Sequence, residues 1–293
     1  MDCLDSCITE KFALYNGDSC EILTNIPDNS VHYEIFSPPF ASLYTYSNSE
    51  RDLGNCRNEK EFFVHFKFIV DELFRILKPG RLVSIHCMNY PAMKERDGYI
   101  GIKDFRGDII RLFQQCGFIY HSEVCIWKDP VIAMQRTKAI GLLHKQLKKD
   151  SSISRQGIPD YLVTLRKPGE NAEPITHTNE SFPVNLWQRY ASPIWMDINP
   201  SDTLQARSCR DDEDEKHICP LQLTVIRRGI ELWTNPGDIV LTPFMGIGSE
   251  AVVALENGRK AVGIELKPTW YKQAVKNCRE ICQASEQISL FDI

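Results

Sequence analysis

The sequence predicts an α/β fold with a doubly wound, mostly parallel, Rossmann-like sheet. Short apolar runs alternate with amphipathic runs of helical period at both ends of the 293-residue chain. A glycine-rich turn joins one apolar run to the following helix near the C-terminal end. Strands that alternate with helices are typical of parallel sheets covered by helices on both faces.

The N-terminal third supplies the first half of this pattern. Residues 33–36 form a short apolar run that ends at Ser37-Pro38-Pro39-Phe40, because two successive prolines cannot continue a strand ladder. Apolar residues recur at helical spacing from Phe62 to Leu77. The predicted elements that follow the first strand are a helix at 61–77, a strand at 81–87, a helix at 105–116 and a strand at 118–127.

The middle of the chain, residues 128–216, loses the α/β rhythm, and we interpret it as an insertion. Between 135 and 167 only Asp150 and Asp160 oppose eight basic residues. The eight are Arg136, Lys138, Lys145, Lys148, Lys149, Arg155, Arg166 and Lys167. Such a run either forms a binding surface or is simply a solvated face.

The rhythm returns in the C-terminal part. We predict a helix at 221–233, a strand at 239–241, a helix at 249–257, a strand at 261–264 and a final helix at 270–282. The polar stretch that follows, residues 283–293, is expected to be a flexible tail.

The turn between the strand at 239–241 and its helix has the features of a nucleoside site. Gly246 and Gly248 let a ligand approach the backbone, and Glu265 lies 19 positions after Gly246, at the tip of the next strand. A carboxylate there can accept hydrogen bonds from both ribose hydroxyls. The third glycine of dinucleotide sites and the lysine of phosphate loops are missing, which favours S-adenosylmethionine over NAD or ATP. The alternative is a purely structural tight turn.

The Ser-Pro-Pro-Phe segment is the candidate reaction site. The prolines hold the backbone so that the Ser37 hydroxyl and the Pro38 carbonyl, stiffened by Pro39, can orient an exocyclic amino group for in-line attack. Phe40 would stack on a base flipped out of the double helix. The alternative is a Pro-Pro loop that carries a core phenylalanine.

Together these segments resemble motifs IV and I of the DNA methyltransferases that modify amino groups. The order, Ser-Pro-Pro-Phe before Pro-Phe-x-Gly-x-Gly, is similar to the circularly permuted β class. Asn16-Gly17-Asp18 resembles the segment whose aspartate contacts the cofactor adenine, and the segment from His217 to Pro220 resembles the part that packs beside the methionine moiety. The resemblance covers residues 16–127 and 217–276.

The resemblance implies a methyltransferase sheet with S-adenosylmethionine as cofactor. Residues 1–127 would be the catalytic half, 128–216 an inserted target-recognition region, 217–282 the cofactor-binding half and 283–293 the tail. The implied cofactor residues are Asp18, His217, Pro220, Thr242, Phe244, Gly246, Gly248 and Glu265. Thr242 departs from the family, which has aspartate before Pro-Phe, and we expect its neutral hydroxyl to weaken a cofactor contact. The family also has an acidic residue at a position near His32. We expect His32 itself to be structural or exposed.

The resemblance also bears on the target base. Family members with Ser-Pro-Pro tend to methylate N4 of cytosine, whereas Asp-Pro-Pro-Tyr is typical of N6 of adenine, so Ser37 favours cytosine and leaves adenine as the alternative. Because a serine hydroxyl cannot hold an extra proton near neutral pH, we expect Ser37 to accept a hydrogen bond while the proton leaves to water.

Two partners follow from the resemblance. Double-stranded DNA would contact the inserted region through its phosphates, with Arg136, Lys138, Lys145, Lys148 and Lys149 as candidates. The segment from Gln287 to Phe291 resembles the peptide by which replication proteins bind the sliding clamp, with Leu290 and Phe291 as apolar anchors, unless these residues pack on their own domain. Family members commonly form homodimers.

Bulk properties limit the remaining choices. A net charge of −5 excludes a dedicated basic coat for nucleic acid. The sequence has no apolar run of spanning length and begins with no signal-like segment, so we expect a cytoplasmic protein. The eleven cysteines form no C-x-x-C pair, which predicts reduced thiols and no metal site.

Three other functions stay open on the sequence alone. One is methylation of RNA or of a protein amide by a similar core. Another is a non-catalytic DNA-binding or clamp-associated protein with a decayed cofactor site, which the departure at Thr242 keeps open. An NAD-dependent enzyme is the third and the weakest, because the pyrophosphate glycine is missing.

Overall fold

The computed structural model describes residues 3–39, 53–56, 58–131, 134, 141–204 and 221–291, with backbone only at 55, 146 and 285–291. Among these residues nine strands form one sheet and two short strands form a separate ladder. In chain order the strands are β1 (Asp5–Ile8), β2 (Phe12–Asn16), β3 (Val31–Phe36), β4 (Leu77–Met88), β5 (Tyr90–Ala92), β6 (Gly101–Lys103), β7 (Ile119–Ile126), β8 (Asp160–Arg166), β9 (Ile194–Trp195), β10 (Ile239–Thr242) and β11 (Lys260–Glu265).

The α-helices of the described residues alternate with these strands in both halves. They are α1 (Ser19–Ile22), α2 (Glu59–Ile76), α3 (Lys94–Asp97), α4 (Phe105–Gln115), α5 (His144–Leu147), α6 (Val184–Tyr190), α7 (Leu223–Trp233), α8 (Ser249–Glu256) and α9 (Pro268–Phe291). Three short 3-10 turns lie at Leu23–Asn25, Leu53–Asn55 and Ser151–Ile153.

The sheet is parallel in its centre. Its strand order is β1-β2-β11-β10-β3-β4-β8-β7-β9. The five strands from β2 to β4 in this order are mutually parallel, whereas β8 runs antiparallel between β4 and β7. Helices cover both faces, since one buried cluster joins the sheet to α2 and α4 and a second joins it to α7, α8 and α9. The predicted doubly wound, mostly parallel fold is confirmed.

Helix α2 shows how local sequence produces this packing. The Asn58 side chain caps the helix by accepting a hydrogen bond from the Glu61 amide at 3.0 Å. Phe62 and Phe66 are fully buried on one face of the helix. Truncating either ring to alanine should therefore cost about 3–5 kcal/mol of folding free energy. At the C-terminal end Lys167 Nζ donates to the carbonyls of Arg75 and Leu77, which the helix itself leaves unpaired.

The region expected to be an insertion contains part of the core. Asp160–Arg166 forms β8, which pairs along its length with both β4 and β7. Trp195, in β9, is also buried. No strand was predicted within 128–216, so β8 and β9 are additions to the predicted sheet. The mostly apolar run at 161–165 is typical of a buried strand, but the polar segments on either side of it favour a loop.

The final helix is longer than expected. It was predicted to end at residue 282, followed by a flexible tail, but α9 continues to Phe291. Polar residues such as Gln and Glu are good helix formers, so a polar composition does not end a helix. None of the helices in the described parts of the chain combines the length and apolar character needed to cross a membrane.

Candidate active site

The functional residues predicted from the sequence gather at one edge of the sheet. The parallel strands β2, β11, β10, β3 and β4 all end there, and the carboxyl ends of parallel strands are where α/β proteins bind ligands. The last residues of these strands are Asn16, Glu265, Thr242, Phe36 and Met88.

The glycine turn after β10 is held from two sides. The Met245 amide donates to the Ile264 carbonyl at 2.9 Å, and Asn277 Nδ2 of α9 donates to the Ile247 carbonyl at 2.9 Å. Gly248 has a φ of +92°, and a Cβ there would lie 3.1 Å from Ala274, so only glycine fits without strain. The turn is thereby fixed before any ligand arrives.

Glu265 joins this turn to the neighbouring strand. Its Oε2 accepts a hydrogen bond from the Gly246 amide at 2.8 Å, and its Oε1 accepts one from the Lys267 amide at 2.8 Å. No atom of the described residues lies within 4 Å of the position that a Cβ of Gly246 would occupy, so they leave the space beside that backbone open. The structure therefore brings Gly246 and Glu265 together as the spacing predicted.

Asp18 lies at the start of α1, next to this pair. Its carboxylate accepts a hydrogen bond from the Cys20 amide at 2.9 Å and caps the helix. Asn16 Nδ2 donates to the Glu265 carbonyl at 2.8 Å, and Ser19 Oγ donates to the Pro243 carbonyl. The N-terminal segment and the C-terminal half thus form one continuous site.

Two further predicted cofactor residues lie beneath the turn. Thr242 is buried, and its hydroxyl has no hydrogen-bond partner among the described residues. Phe244 packs edge-on against Phe36, with ring centroids 5.7 Å apart, and against Phe66 at 6.1 Å. Phe244 therefore ties the glycine turn to the end of β3, where the reaction site begins.

Glu250 is a buried carboxyl that the sequence did not single out. It lies in the first turn of α8. Burial, reinforced by the charge of Glu265, raises its pKa to about 8. The group is therefore mostly neutral at pH 7, directly behind the glycine turn.

The end of β3 carries a chain of polar side chains. The half-buried Ser37 shares a hydrogen bond between its Oγ and His86 Nδ1 at 2.7 Å. His86 Nε2 is 3.0 Å from Asp160 Oδ2, and the Lys128 ammonium pairs with the same carboxylate oxygen. Burial opposes ionisation of Asp160, but its contacts with His86 and Lys128 outweigh that effect, so the pKa of Asp160 lies below its ordinary value.

Sequence reasoning missed His86, Asp160 and Lys128. A signal existed for His86, because it lies one residue before the end of the predicted strand at 81–87. Asp160 stands directly before the mostly apolar run at 161–165, which was not predicted as a strand. Pro38 is buried and Pro39 half-buried beside Ser37, whereas Phe40 lies outside the described residues.

The predicted DNA-contacting and cofactor residues of the inserted region and its border are only partly described. Lys145, Lys148 and Lys149 are exposed, as a phosphate-binding role requires. Arg155 and Lys167 belong to the same basic window but are buried. Arg136, Lys138, His217 and Pro220 lie outside the described residues.

His32 has a structural role. Its Nδ1 accepts a hydrogen bond from the Ile239 amide at 3.0 Å, and its Nε2 lies 2.9 Å from Glu173 Oε2. Burial lowers the pKa of His32, and a neutral ring suits a nitrogen that accepts from the backbone. The nearby Asp238 carboxylate pairs with buried Arg81 at 3.1 Å, so this group of acidic residues is already neutralised.

The doubly wound sheet with an acidic residue behind a glycine turn places the chain in the class of Rossmann-like proteins. A sequence model of the DNA methylase family, the N6- and N4-methyltransferases, matches residues 31–276. The chain belongs to this DNA methylase family.

Individual relatives agree with the family model. The type II methyltransferase M.Cfr9I of Citrobacter freundii is 42% identical over 289 residues, covering 89% of this chain and 86% of that protein. The DNA adenine methyltransferase YhdJ of Escherichia coli K12 is 38% identical over 273 residues, covering 91% and 82%. The type II methyltransferase M.BglII of Bacillus subtilis is 26% identical over 259 residues, and this match covers 87% of the chain but 65% of that relative.

Solved structures share the fold at lower identity. A Thermus thermophilus protein described as a DNA modification methylase, complexed with S-adenosyl-L-methionine, aligns with a TM-score of 0.66 and 24% identity over 92% of this chain and 95% of its own. The cytosine-N4-specific PvuII DNA methyltransferase aligns with a TM-score of 0.65 and 18% identity over 96% and 93%. The Rossmann-like methyltransferase sheet is thereby confirmed.

Proposed function

We propose that this protein transfers the methyl group of S-adenosylmethionine to the exocyclic N4 of a cytosine flipped out of double-stranded DNA. The observation that carries the proposal is the position of Ser37. Its hydroxyl lies at the carboxyl end of β3, one strand away from the glycine turn after β10 and two strands away from Glu265 at the end of β11. The acceptor for the amino group and the candidate nucleoside site therefore lie at the same edge of the sheet.

The residues at the glycine turn suit the nucleoside part of S-adenosylmethionine. Glu265 accepts hydrogen bonds from the Gly246 and Lys267 amides, which hold its carboxylate at the turn, where the ribose hydroxyls of a bound nucleoside can donate to it. The open space beside Gly246 admits a ligand against the backbone. The buried Thr242 hydroxyl lacks a partner within the described chain and marks a polar position under the turn.

When bound, S-adenosylmethionine supplies a methyl group on a sulfonium centre. Ser37 then accepts a hydrogen bond from the amino group and draws its lone pair out of conjugation with the ring. The buried Pro38 restricts the backbone so that this acceptor is fixed in advance.

The exposed lysines of the inserted region support a DNA substrate. Lys145, Lys148 and Lys149 lie in and after α5, where their charges can reach phosphates without displacing any core residue. We retain Arg136 and Lys138 as candidates on sequence grounds, and His217 and Pro220 as cofactor candidates on resemblance.

The test is transfer of labelled methyl from S-adenosylmethionine to unmethylated DNA, with mass spectrometry of the product nucleosides. We expect N4-methylcytosine in the wild-type product and far less of it with Ser37→Ala in the same time. Methylation of RNA or protein with none on DNA would contradict the proposal. Failure of the intact protein to bind S-adenosylmethionine would also contradict it.

N6 of adenine is the second candidate target. It is favoured by one observation, the 38% identity to a relative named as a DNA adenine methyltransferase. Both targets are amino groups on an aromatic ring, and Ser37 can orient either. The same mass spectrometry distinguishes them, because N6-methyladenine would keep the class of reaction and overturn the choice of base.

A further inference from the structure

We propose that His86 receives the proton released by the target amino group, through Ser37, and that Asp160 and Lys128 position His86 for this task. The inference rests on the proposed function and adds a proton acceptor to it. Sequence reasoning had assigned the proton directly to water.

The geometry forms an unbroken path from the reaction site into the sheet. Ser37 Oγ is 2.7 Å from His86 Nδ1, and His86 Nε2 is 3.0 Å from Asp160 Oδ2. The three residues come from three adjacent strands, at the end of β3, near the end of β4 and at the start of β8. Because the sheet fixes all three backbones, the path is set before substrate binds.

The burial of the path decides which tautomer His86 adopts. Asp160 is 2% exposed and His86 is 7% exposed, so water cannot readily replace either partner. An ionised carboxylate only accepts hydrogen bonds, so the neutral imidazole carries its proton on Nε2 and donates it to Asp160. His86 Nδ1 is then an acceptor, and Ser37 Oγ donates its hydrogen to it. This leaves the lone pairs of Ser37 Oγ for the amino group.

Lys128 keeps Asp160 in the ionised form. Its ammonium pairs with the same Oδ2 that holds the imidazole. With the positive charge of Lys128 in place, the carboxylate orients the ring and stabilises an imidazolium, and the transferred proton stays on His86. Lys128 also balances the negative charge of the site while His86 is neutral.

The proton and charge balance closes without another reactant. The amino nitrogen forms a bond to the methyl carbon as the carbon–sulfur bond breaks, and the sulfonium becomes a neutral thioether. The nitrogen, now positively charged, gives one proton to Ser37 Oγ as Ser37 gives its own to His86 Nδ1. The products are a methylated neutral amine, an unchanged serine and an imidazolium, which later returns its proton to solvent.

Two variants test the proposed proton acceptor and the residue that positions it. His86→Gln retains polar atoms between Ser37 and Asp160 but cannot hold a proton, and we expect kcat to fall roughly 100-fold or more, as for loss of a general base. Asp160→Asn removes the charge that fixes the tautomer, and we expect a similar loss of kcat. In both, the KM for S-adenosylmethionine should stay within about twofold, because neither residue lies at the glycine turn.

The matched control is Asp238→Asn. It is the same substitution at another buried carboxylate, which lies just before β10 at the opposite edge of the sheet. We expect its kcat to stay near the wild-type value even if its melting temperature falls. A general loss of stability from burying an amide would lower both Asn variants alike.

A readout on the free protein tests the path without any reaction. Nitrogen-15 NMR of the histidine side chains, with His86 assigned by subtraction of the His86→Gln spectrum, should show Nε2 protonated and Nδ1 bare. In Asp160→Asn this preference should be lost. A proton on Nδ1 in the wild type, or an unchanged kcat in His86→Gln, would overturn the relay. A wild type that transfers no methyl group would instead overturn the proposed function, and the relay with it.

Discussion

The two halves of the candidate site, the glycine turn and the surroundings of Ser37, are built in opposite ways. Around the glycine turn the contacts are made by backbone amides and carbonyls, fixed by Glu265 and Asn277. Around Ser37 they are made by side chains that titrate or carry charge, His86, Asp160 and Lys128. Both halves lie at the ends of the same parallel strands.

The difference follows from what each half has to do. A nucleoside needs a fixed shape and hydrogen bonds that do not change during the reaction, and backbone groups supply both. Methylation of an amine releases a proton, and in a buried site a titratable side chain can take it. Changes in the first half should therefore alter binding, and changes in the second half should alter the rate.

The strongest test of this division is Ser37→Ala. The hydroxyl touches the reacting amino group in the proposed mechanism, so we expect kcat to fall roughly 100- to 1000-fold, as for removal of one preorganised polar contact. Affinity for S-adenosylmethionine, measured by calorimetry, should stay within about twofold. An equal loss of affinity and rate would show that the two halves are not separate.

The reciprocal test is Glu265→Gln. The amide keeps the size of the side chain but loses the charge-assisted hydrogen bonds to Gly246 and Lys267 and one acceptor for the ribose. We expect the Kd for S-adenosylmethionine to rise roughly 10- to 100-fold, since hydrogen bonds to charged groups contribute about 1.5–3 kcal/mol. At saturating cofactor kcat should be largely restored.

Its matched control is Glu256→Gln. Glu256 is the last residue of α8, at the end away from the glycine turn, and makes a partly exposed ion pair with Arg227 at 3.1 Å. The same loss of charge should leave cofactor affinity unchanged. A weakened affinity here would mean that net charge, and not the contact at Glu265, sets binding.

Glu250 adds a test of this comparison. It is a titratable group behind the glycine turn, where the proposed reaction needs no proton acceptor. Its pKa is about 8 in the folded protein and near 4.5 in the unfolded chain, so the folded state holds the extra proton between these values. The free energy of unfolding should therefore fall as pH rises from about 4.5 to 8, by up to about 1.4 kcal/mol per pH unit. Glu250→Gln should remove this dependence, and its advantage in melting temperature should grow from pH 5 to pH 8. Parallel pH profiles for the two proteins would contradict the assignment.

A smaller effect is expected at the surface lysines. Lys148→Glu combined with Lys149→Glu removes two proposed phosphate contacts, so DNA affinity should fall several-fold and its salt dependence should weaken by roughly two in slope. The control is Lys272→Glu combined with Lys276→Glu, two exposed lysines on α9 with the same total charge change. Equal effects of the two double variants would indicate a general charge effect without a defined DNA surface.

The smallest effect on catalysis is expected at the C-terminal end. Removal of residues 287–293 should abolish capture by a purified sliding clamp and leave methylation of short duplexes unchanged. Capture that survives the deletion would remove Gln287, Leu290 and Phe291 as its determinants.

The sequence predicts the two halves unequally. Gly246, Gly248 and Glu265 belong to one strand-turn-helix-strand unit, so their spacing alone places them together. Ser37, His86 and Asp160 come from strands far apart in the chain, and which strands become neighbours is decided by tertiary packing. His86 has the surroundings of an ordinary core residue in the sequence, and β8 lies between polar segments that favour a loop. The apparent basic window shows the same limit, because Lys167 caps a helix and Arg155 is buried.

The pairing of Lys128 with Asp160 has a consequence for how new specificities can arise. Ile126 and Asp160 are opposed in the sheet, so the chain leaves the core and returns to it at the same point. The segment between Lys128 and Asp160, whose described residues include α5 and a 3-10 turn, is therefore attached at both ends to residues of the proposed reaction site. An exchange of residues 129–159 between relatives, with Lys128 and Asp160 kept, should change the DNA sequence that is recognised. The rate of the catalytic step should stay the same. DNA recognition would then evolve by replacement of this segment, whereas insertions or deletions next to Lys128 or Asp160 would be selected against.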